Sequence, residues 1–186
     1  MNIVNFNRRL RKQDMDDRIF NVLFLCTHNS ARSVMAEALL NKLGGGKFQA
    51  FSAGSHPKSS PNPFALEQVE KLGFDRTSFK SKSWDDFALA AGPHMDIIIT
   101  VCDNAAGEVC PVWPGRPATA HWGFPDPSDT EGGDQAKRAA FNRVFNDIKL
   151  RIQFLVSLPV AKLAHLALSN ELKRIHREAA VATSAA

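Results

Sequence analysis

The chain carries only three cysteines in 186 residues and a net charge of just +4, and it has no apolar stretch of membrane-spanning length. Three thiols are too few for the disulfide framework of a small secreted fold, so any disulfide here is expected to be transient and chemical. Arg8, Arg9, Arg11 and Lys12 are followed by no apolar core, so no secretory signal is expected. Asp14, Asp16 and Asp17 come straight after them, which reads as a solvated arm over residues 1–19. The basic residues are not gathered with aromatics on one predicted face, so no nucleic-acid partner is expected. Together these absences point to the cytoplasm and to no membrane partner. No internal repeat is visible, and low complexity is confined to the last few residues. The length fits one domain with a real core.

Apolar periodicity supplies the fold class. Val22 to Leu25 read as a buried parallel strand. Met35, Ala38, Leu39 and Leu43 recur at helical spacing and end at Gly44-Gly45-Gly46. Phe48 to Ala53 alternates like a strand, and Gly54 to Pro61 is a loop. Asn62-Pro63 caps a helix with Ala65, Leu66, Val69 and Leu72 on its apolar face. Ser83-x-x-Asp86 resembles a capping box for a short helix through Ala91. Asp96 to Val101 is a second buried strand, Ala118 to Phe124 a fourth strand, and Phe141 to Leu155 a long amphipathic helix. The expectation is an α/β domain over residues 20–158, a four-stranded parallel sheet flanked by helices on both faces. Residues 159–186 add one more helix and an Ala-rich tail. That helix is expected either to pack on the domain or to form a homodimer contact.

The chemistry is concentrated at Cys26. It ends the first strand, and Thr27, His28, Asn29, Ser30, Ala31, Arg32 and Ser33 lead into a helix N-terminus. Backbone amides there have no partner within the helix, and the macrodipole favours negative charge. That field and the Arg32 guanidinium are expected to stabilise a Cys26 thiolate. Arg32 offers a planar fork to a tetrahedral oxyanion. The loop therefore reads as a thiolate nucleophile set to attack a phosphate-like centre, in preference to a structural cysteine beside an ordinary helix start.

Cys102 and Asp126, like Cys26, come after predicted strands and are expected to converge on one crevice. Cys102 and Cys110, separated by seven residues, fit no common zinc pattern. Two readings stay open. Either they are incidental, or Cys102 attacks the Cys26 sulfur and Cys110 then attacks Cys102, with Ala105, Ala106 and Gly107 letting the segment rearrange. Asp126 lies between two prolines. A carboxyl beside a bound dianion holds a proton more tightly and can donate it to a leaving oxygen. The alternative is an ordinary turn aspartate.

With these residues in place, residues 20–157 resemble the arsenate reductases built on the low-molecular-weight tyrosine phosphatase fold. Cys26-Thr27-His28-Asn29-Ser30-Ala31-Arg32-Ser33 is similar to that family's anion loop, with His28 where Gly is usual. Ser52-Ala53-Gly54-Ser55 resembles the segment after its second strand, and His121 to Pro127 resembles its reductase-type acid loop. Cys102 and Cys110 resemble the resolving pair, one residue further apart than usual. The resemblance implies that Cys26 attacks arsenate, that Arg32 and the loop amides stabilise oxyanion charge, and that Asp126 protonates the departing oxygen. Ser33 and Asn29 would tune the thiolate. Cys102 would attack Cys26, Cys110 would take over the disulfide, and thioredoxin or a similar thiol donor would reduce it. Neither metal nor organic cofactor is implied, and phosphate and sulfate are expected competitors.

The main rival is a phosphatase of phosphomonoesters that leaves Cys102 and Cys110 idle. Phosphatases of this family usually carry tyrosines after the acid-loop Asp-Pro. This chain has no tyrosine, and Ser128 comes after Pro127. Some aryl-phosphate hydrolysis is still expected from the shared cradle. A non-catalytic anion sensor would be favoured by loss of the nucleophile or the arginine, and both are present.

Overall fold

A computed structural model describes residues 18–89, 91–103, 105, 111–160 and 165–184. Val22 to Leu25 are all fully buried, as a run apolar at every position requires cover on both faces of a sheet. They lie in β1 (Phe20–Cys26), which pairs in parallel with β2 (Phe48–Gly54) and β3 (Ile97–Thr100). β4 (Ala118–His121) adds to β3, also in parallel, giving the order β2-β1-β3-β4. The expected four-stranded parallel sheet is therefore present.

Among the described residues five α-helices surround it: α1 (Arg32–Leu43), α2 (Pro63–Lys71), α3 (Asp85–Ala88), α4 (Asp134–Ser157) and α5 (His165–Ser184). Strand periodicity sorts the core. Val22, Phe24 and Cys26 face the large cluster that contains Met35 and Leu39 of α1, Ile148 and Ile152 of α4, and Leu168 and Leu172 of α5. Leu23 and Leu25 face the other side, under Phe87 of α3 and the two indoles of Trp84 and Trp113. Asn62 caps α2 by accepting from the Phe64 amide at 2.9 Å, with Pro63 at the first helical position, as its sequence requires.

Several boundaries differ from expectation. β4 stops at His121, because Trp122 to Phe124 turn away into the acid loop. α3 ends at Ala88 and has no capping box; Ser83 instead accepts from the Asp85 amide at 3.2 Å. α4 begins at Asp134, well before its apolar stripe. The Ala-rich stretch is not a loose tail but continues α5 to Ser184, consistent with alanine's helix propensity and the full burial of Ala179.

α5 is fastened to the domain. The Trp122 indole, itself fully buried, donates to the Leu172 carbonyl at 2.9 Å, and Leu168, Leu172 and Ile175 join the main core. The apolar face expected to serve either packing or dimerisation is thus covered by the chain's own domain. Among the described residues no helix is long and apolar enough to cross a membrane. The arm at residues 1–17 lies outside the described residues.

Candidate active site

The loop after β1 turns its carbonyls outward and leaves its amides facing in. The carbonyls of Thr27, His28 and Ser30 accept from the amides of His56, Lys58 and Asn62 at 2.8, 3.0 and 2.8 Å. The Asn29 carbonyl accepts from the Ser81 hydroxyl at 2.7 Å. These bonds fix the peptide planes. Asn29 sits at φ +43°, a left-handed conformation that asparagine tolerates. The residue before α1 is Ala31, which has no side chain able to cap, and the first turn of α1 holds no acidic residue. The first-turn amides are left for a ligand, and such a helix start favours an anion. Gly54 is what permits the approach of this loop to β2: a Cβ there would come 2.5 Å from the Thr27 carbonyl oxygen and 2.8 Å from the Asn29 amide.

The sulfur of Cys26 lies at the base of this loop, 3% exposed. The Asn29 amide donates to it at 3.2 Å, and the Ser33 hydroxyl lies 3.0 Å away. Proton directions are set by a buried chain of partners. Lys82 Nζ donates to the Glu37 carboxylate at 3.1 and 3.2 Å, and the Ser52 hydroxyl donates to the same carboxylate. The Asn29 side-chain amide then donates to both Ser52 Oγ and Ser33 Oγ, at 2.8 Å each. Ser33 Oγ is thereby an acceptor toward Asn29, so its single proton is free to point at sulfur. The Lys82 amide closes the ring by donating to Asn29 Oδ1 at 2.7 Å.

Burial pushes the Cys26 thiol above its ordinary value; the Ser33 hydroxyl pulls it down, nearby Cys102 pushes it up, and Arg32 and the Asn29 amide pull it down. Burial prevails. The groups that would stabilise a thiolate, the Ser33 hydroxyl and the Asn29 amide, are already in position around the sulfur. Burial also pushes the Glu37 carboxyl up, against the pull of Lys82 and Ser52.

Arg32 and Asp126 meet as an ion pair. Nη2 of Arg32 bonds Asp126 Oδ2 at 2.5 Å, and Nη1 donates to the Phe124 carbonyl at 2.9 Å. Arg32 Nε is buried with no partner among the described residues, a donor available to an incoming anion. Asp126 also accepts from the Ser128 amide at 3.0 Å, capping the short 3-10 turn Pro127–Asp129. Asp126 thus caps a turn, as one reading of the sequence has it, and its other carboxylate oxygen pairs with the arginine. The Phe124 ring lies under the Arg151 guanidinium at 4.2 Å, which steadies the acid loop from behind.

Cys102 lies just past the end of β3, and it too is buried, at 2% exposure. Its sulfur is 3.7 Å from the hydroxyl of Thr27, the residue after Cys26, and accepts from the Ala105 amide at 3.4 Å. Sheet register explains the meeting. Leu25 pairs with Thr100, and the Val101 amide donates to the Leu25 carbonyl at 2.7 Å, so β1 and β3 release their cysteines side by side. Cys26, Arg32, Cys102 and Asp126 are thus brought together. His28 is exposed on the rim. Cys110, with Ala106 and Gly107, lies outside the described residues. Glu37 and Lys82 belong to the site although sequence reasoning does not single them out. The one sequence signal for Glu37 is a lone acid within Val-Met-Ala-Glu-Ala-Leu-Leu, four residues after Ser33 on the same helix face.

Such a loop can hold a tetrahedral oxyanion over a sulfur nucleophile, with a carboxyl opposite and a second thiol alongside. Comparison with known proteins agrees. Residues 21–170 match the family described as low molecular weight phosphotyrosine protein phosphatase. An arsenate reductase of Halalkalibacterium halodurans is 38% identical over 132 residues, 71% of this chain and 91% of that protein. The crystal structure of an arsenate reductase from Archaeoglobus fulgidus superposes with a TM-score of 0.57 at 29% identity, covering 74% of this chain and 99% of that one. A thioredoxin-dependent arsenate reductase of Corynebacterium glutamicum gives 0.55 at 27% identity, covering 79% of this chain and 68% of that one. The match takes in the sheet, the anion loop and the acid turn alike, and the chain belongs to the low molecular weight phosphotyrosine protein phosphatase family, whose arsenate reductases are among its relatives.

Proposed function

We propose that this chain reduces arsenate to arsenite, using Cys26 as nucleophile and Cys102 as the thiol that resolves its adduct. The observation that carries the reading is the second buried sulfur, 3.7 Å from Thr27 and beside the nucleophile. Phosphomonoester hydrolysis needs one sulfur at this place; a two-electron reduction needs two.

Arsenate is tetrahedral and doubly charged, and the inward amides suit it. As it docks, Arg32 turns from Asp126 to two of its oxygens, and Arg32 Nε gains a partner. Asp126, released from its cation, takes the proton that Cys26 gives up. The Cys26 thiolate attacks arsenic, an S–As bond forms, and Asp126 returns the proton to the departing oxygen, which leaves as water. Cys102, as thiolate, then attacks the Cys26 sulfur. The S–S bond forms, the S–As electron pair stays on arsenic, and arsenite leaves. Cys110 attacks Cys102 and frees Cys26, and a thiol donor of the thioredoxin type, in the cytoplasm, reduces the last disulfide. Among the described residues no group of three His, Cys, Asp or Glu side chains is placed to hold a metal ion, and no step above calls for one.

The test compares the wild type with Cys102→Ser and Cys110→Ser. Multiple-turnover arsenite production with thioredoxin and its reductase is expected to collapse in both variants, while hydrolysis of a small aryl phosphate survives. Undiminished arsenate turnover in Cys102→Ser would refute the proposal.

A further inference from the structure

His121 contributes to none of the steps above, yet its ring is bonded on both sides of Cys102. Nδ1 shares a hydrogen bond with the Thr100 hydroxyl at 2.8 Å, two residues before the thiol. Nε2 bonds Asp103 Oδ1 at 2.9 Å, one residue after it. Main-chain pairing in this stretch ends at the same place, with the Trp122 amide on the Thr100 carbonyl at 2.8 Å and the Val101 amide on β1. Among the described residues from Cys102 to Pro117, none belongs to a strand. Gly123 leaves room for this bridge: a Cβ there would come 2.7 Å from Asp103 Oδ1 and 3.0 Å from His121 Nε2. From the other side the His176 ring of α5 stands 6.0 Å from the imidazole.

We propose that His121 is a positioning residue for Cys102. Its imidazole spans Thr100 and Asp103 and so holds the Cys102 thiol facing Cys26 until the adduct is resolved. The role rests on the arsenate-reduction reading. It predicts a split between two activities of one site, because His121 touches neither Cys26, Arg32 nor Asp126. Loss of the bridge should slow the thiol-on-sulfur step, where a displacement of about 1 Å costs on the order of a hundredfold. Attack on phosphorus should be unaffected.

The experiment uses reduced wild type, His121→Ala and His121→Gln. Single-turnover arsenite release, without external reductant, is expected to fall about tenfold or more in His121→Ala. Aryl-phosphate kcat/KM should stay within about threefold of wild type. Glutamine presents a donor and an acceptor to the same two partners, and should restore most of the release. A third measurement needs no arsenate: in a Cys26→Ser, Cys110→Ser background, iodoacetamide should alkylate buried Cys102 about tenfold faster once His121 is alanine. Unchanged alkylation in the alanine variant would overturn the role. So would an equal fall in both activities, which marks general damage. A wild type that releases no arsenite, with alkylation accelerated as expected, would refute the function and leave the hold of His121 on Cys102 supported.

Discussion

Removing the Ser33 hydroxyl should make Cys26 a much weaker nucleophile at neutral pH. Ser33 Oγ lies 3.0 Å from the sulfur, and its proton is directed there because Asn29 donates to it from the other side. Only one other hydrogen bond to the sulfur is present among the described residues, from the Asn29 amide at 3.2 Å. A hydrogen bond to a charged group contributes about 1.5–3 kcal/mol. At about 1.4 kcal/mol per decade, Ser33→Ala should cut the thiolate fraction at a fixed pH roughly ten- to a hundredfold. The sign is set by burial, which already raises the thiol above its ordinary value, with Ser33 the strongest opposing pull. The ionised form therefore appears only as pH rises through that raised value, and Ser33→Ala moves the rise further to the alkaline side. Alkylation of Cys26 by iodoacetamide measures this directly, in a Cys102→Ser, Cys110→Ser background so that only one thiol reports. Both profiles should reach the same plateau, with the variant lagging. Coincident profiles, with both proteins folded, would refute the proposed direction of the Ser33 proton and the chain of partners behind it.

Three further outcomes are expected. Gly54→Ala drives a Cβ into two backbone groups of the anion loop, so both activities should fall more than about tenfold, with about 1–3 kcal/mol of stability lost in urea unfolding. Lys82→Met leaves the Glu37 carboxylate buried without its cation, and about 1–3 kcal/mol should be lost near neutral pH. Because Glu37 already sits above its ordinary value in the fold, that loss should grow as pH rises through its raised value and vanish below the ordinary carboxyl range, which a pH series of melting curves will show. Leu172→Ala opens a cavity beneath the fully buried Trp122 and should cost about 2–5 kcal/mol, seen as a lower denaturation midpoint with unchanged m.

Legibility in the sequence is confined to whatever a local pattern encodes. The continuous apolar runs before Cys26 and Cys102 announce two buried parallel strands, and Asn62-Pro63 announces a helix start, because both signals act within a few residues. The partners of the site are less legible, because they come from distant segments. Nothing near Glu37 foretells Lys82, which lies 45 positions away, and nothing near Arg32 foretells its hold on Asp126, 94 positions away. The upward push of burial on the Cys26 thiol escapes sequence reasoning for a related reason. Dipole and guanidinium are visible in the sequence, but depth is not, and a sulfur only 3% exposed is governed by depth. The Ala-rich end escapes it because low complexity resembles disorder until a partner surface is known, and here Ala179 is fully buried in the fold.

On the proposed function, reduction differs from hydrolysis by the second sulfur delivered just past β3. In a parallel sheet every strand ends on the same side, so a residue placed after β3 is delivered beside the residue placed after β1 with no added device. Cys26 therefore has a neighbour fixed by register alone, and on the proposed function that neighbour serves as the resolving thiol with no change to the anion loop. That placement does expose the nucleophile to a second sulfur, which pushes its ionisation upward. The Ser33 hydroxyl, Arg32 and the Asn29 amide pull the other way, and Asn29 directs the Ser33 proton toward the sulfur. Weakening either side moves the ionisation in a known direction: Cys102→Ser should make Cys26 alkylate at lower pH than wild type, and Ser33→Ala at higher pH. If the two substitutions shifted it the same way, the opposition between resolving thiol and proton chain would be wrong, whatever the fate of arsenate.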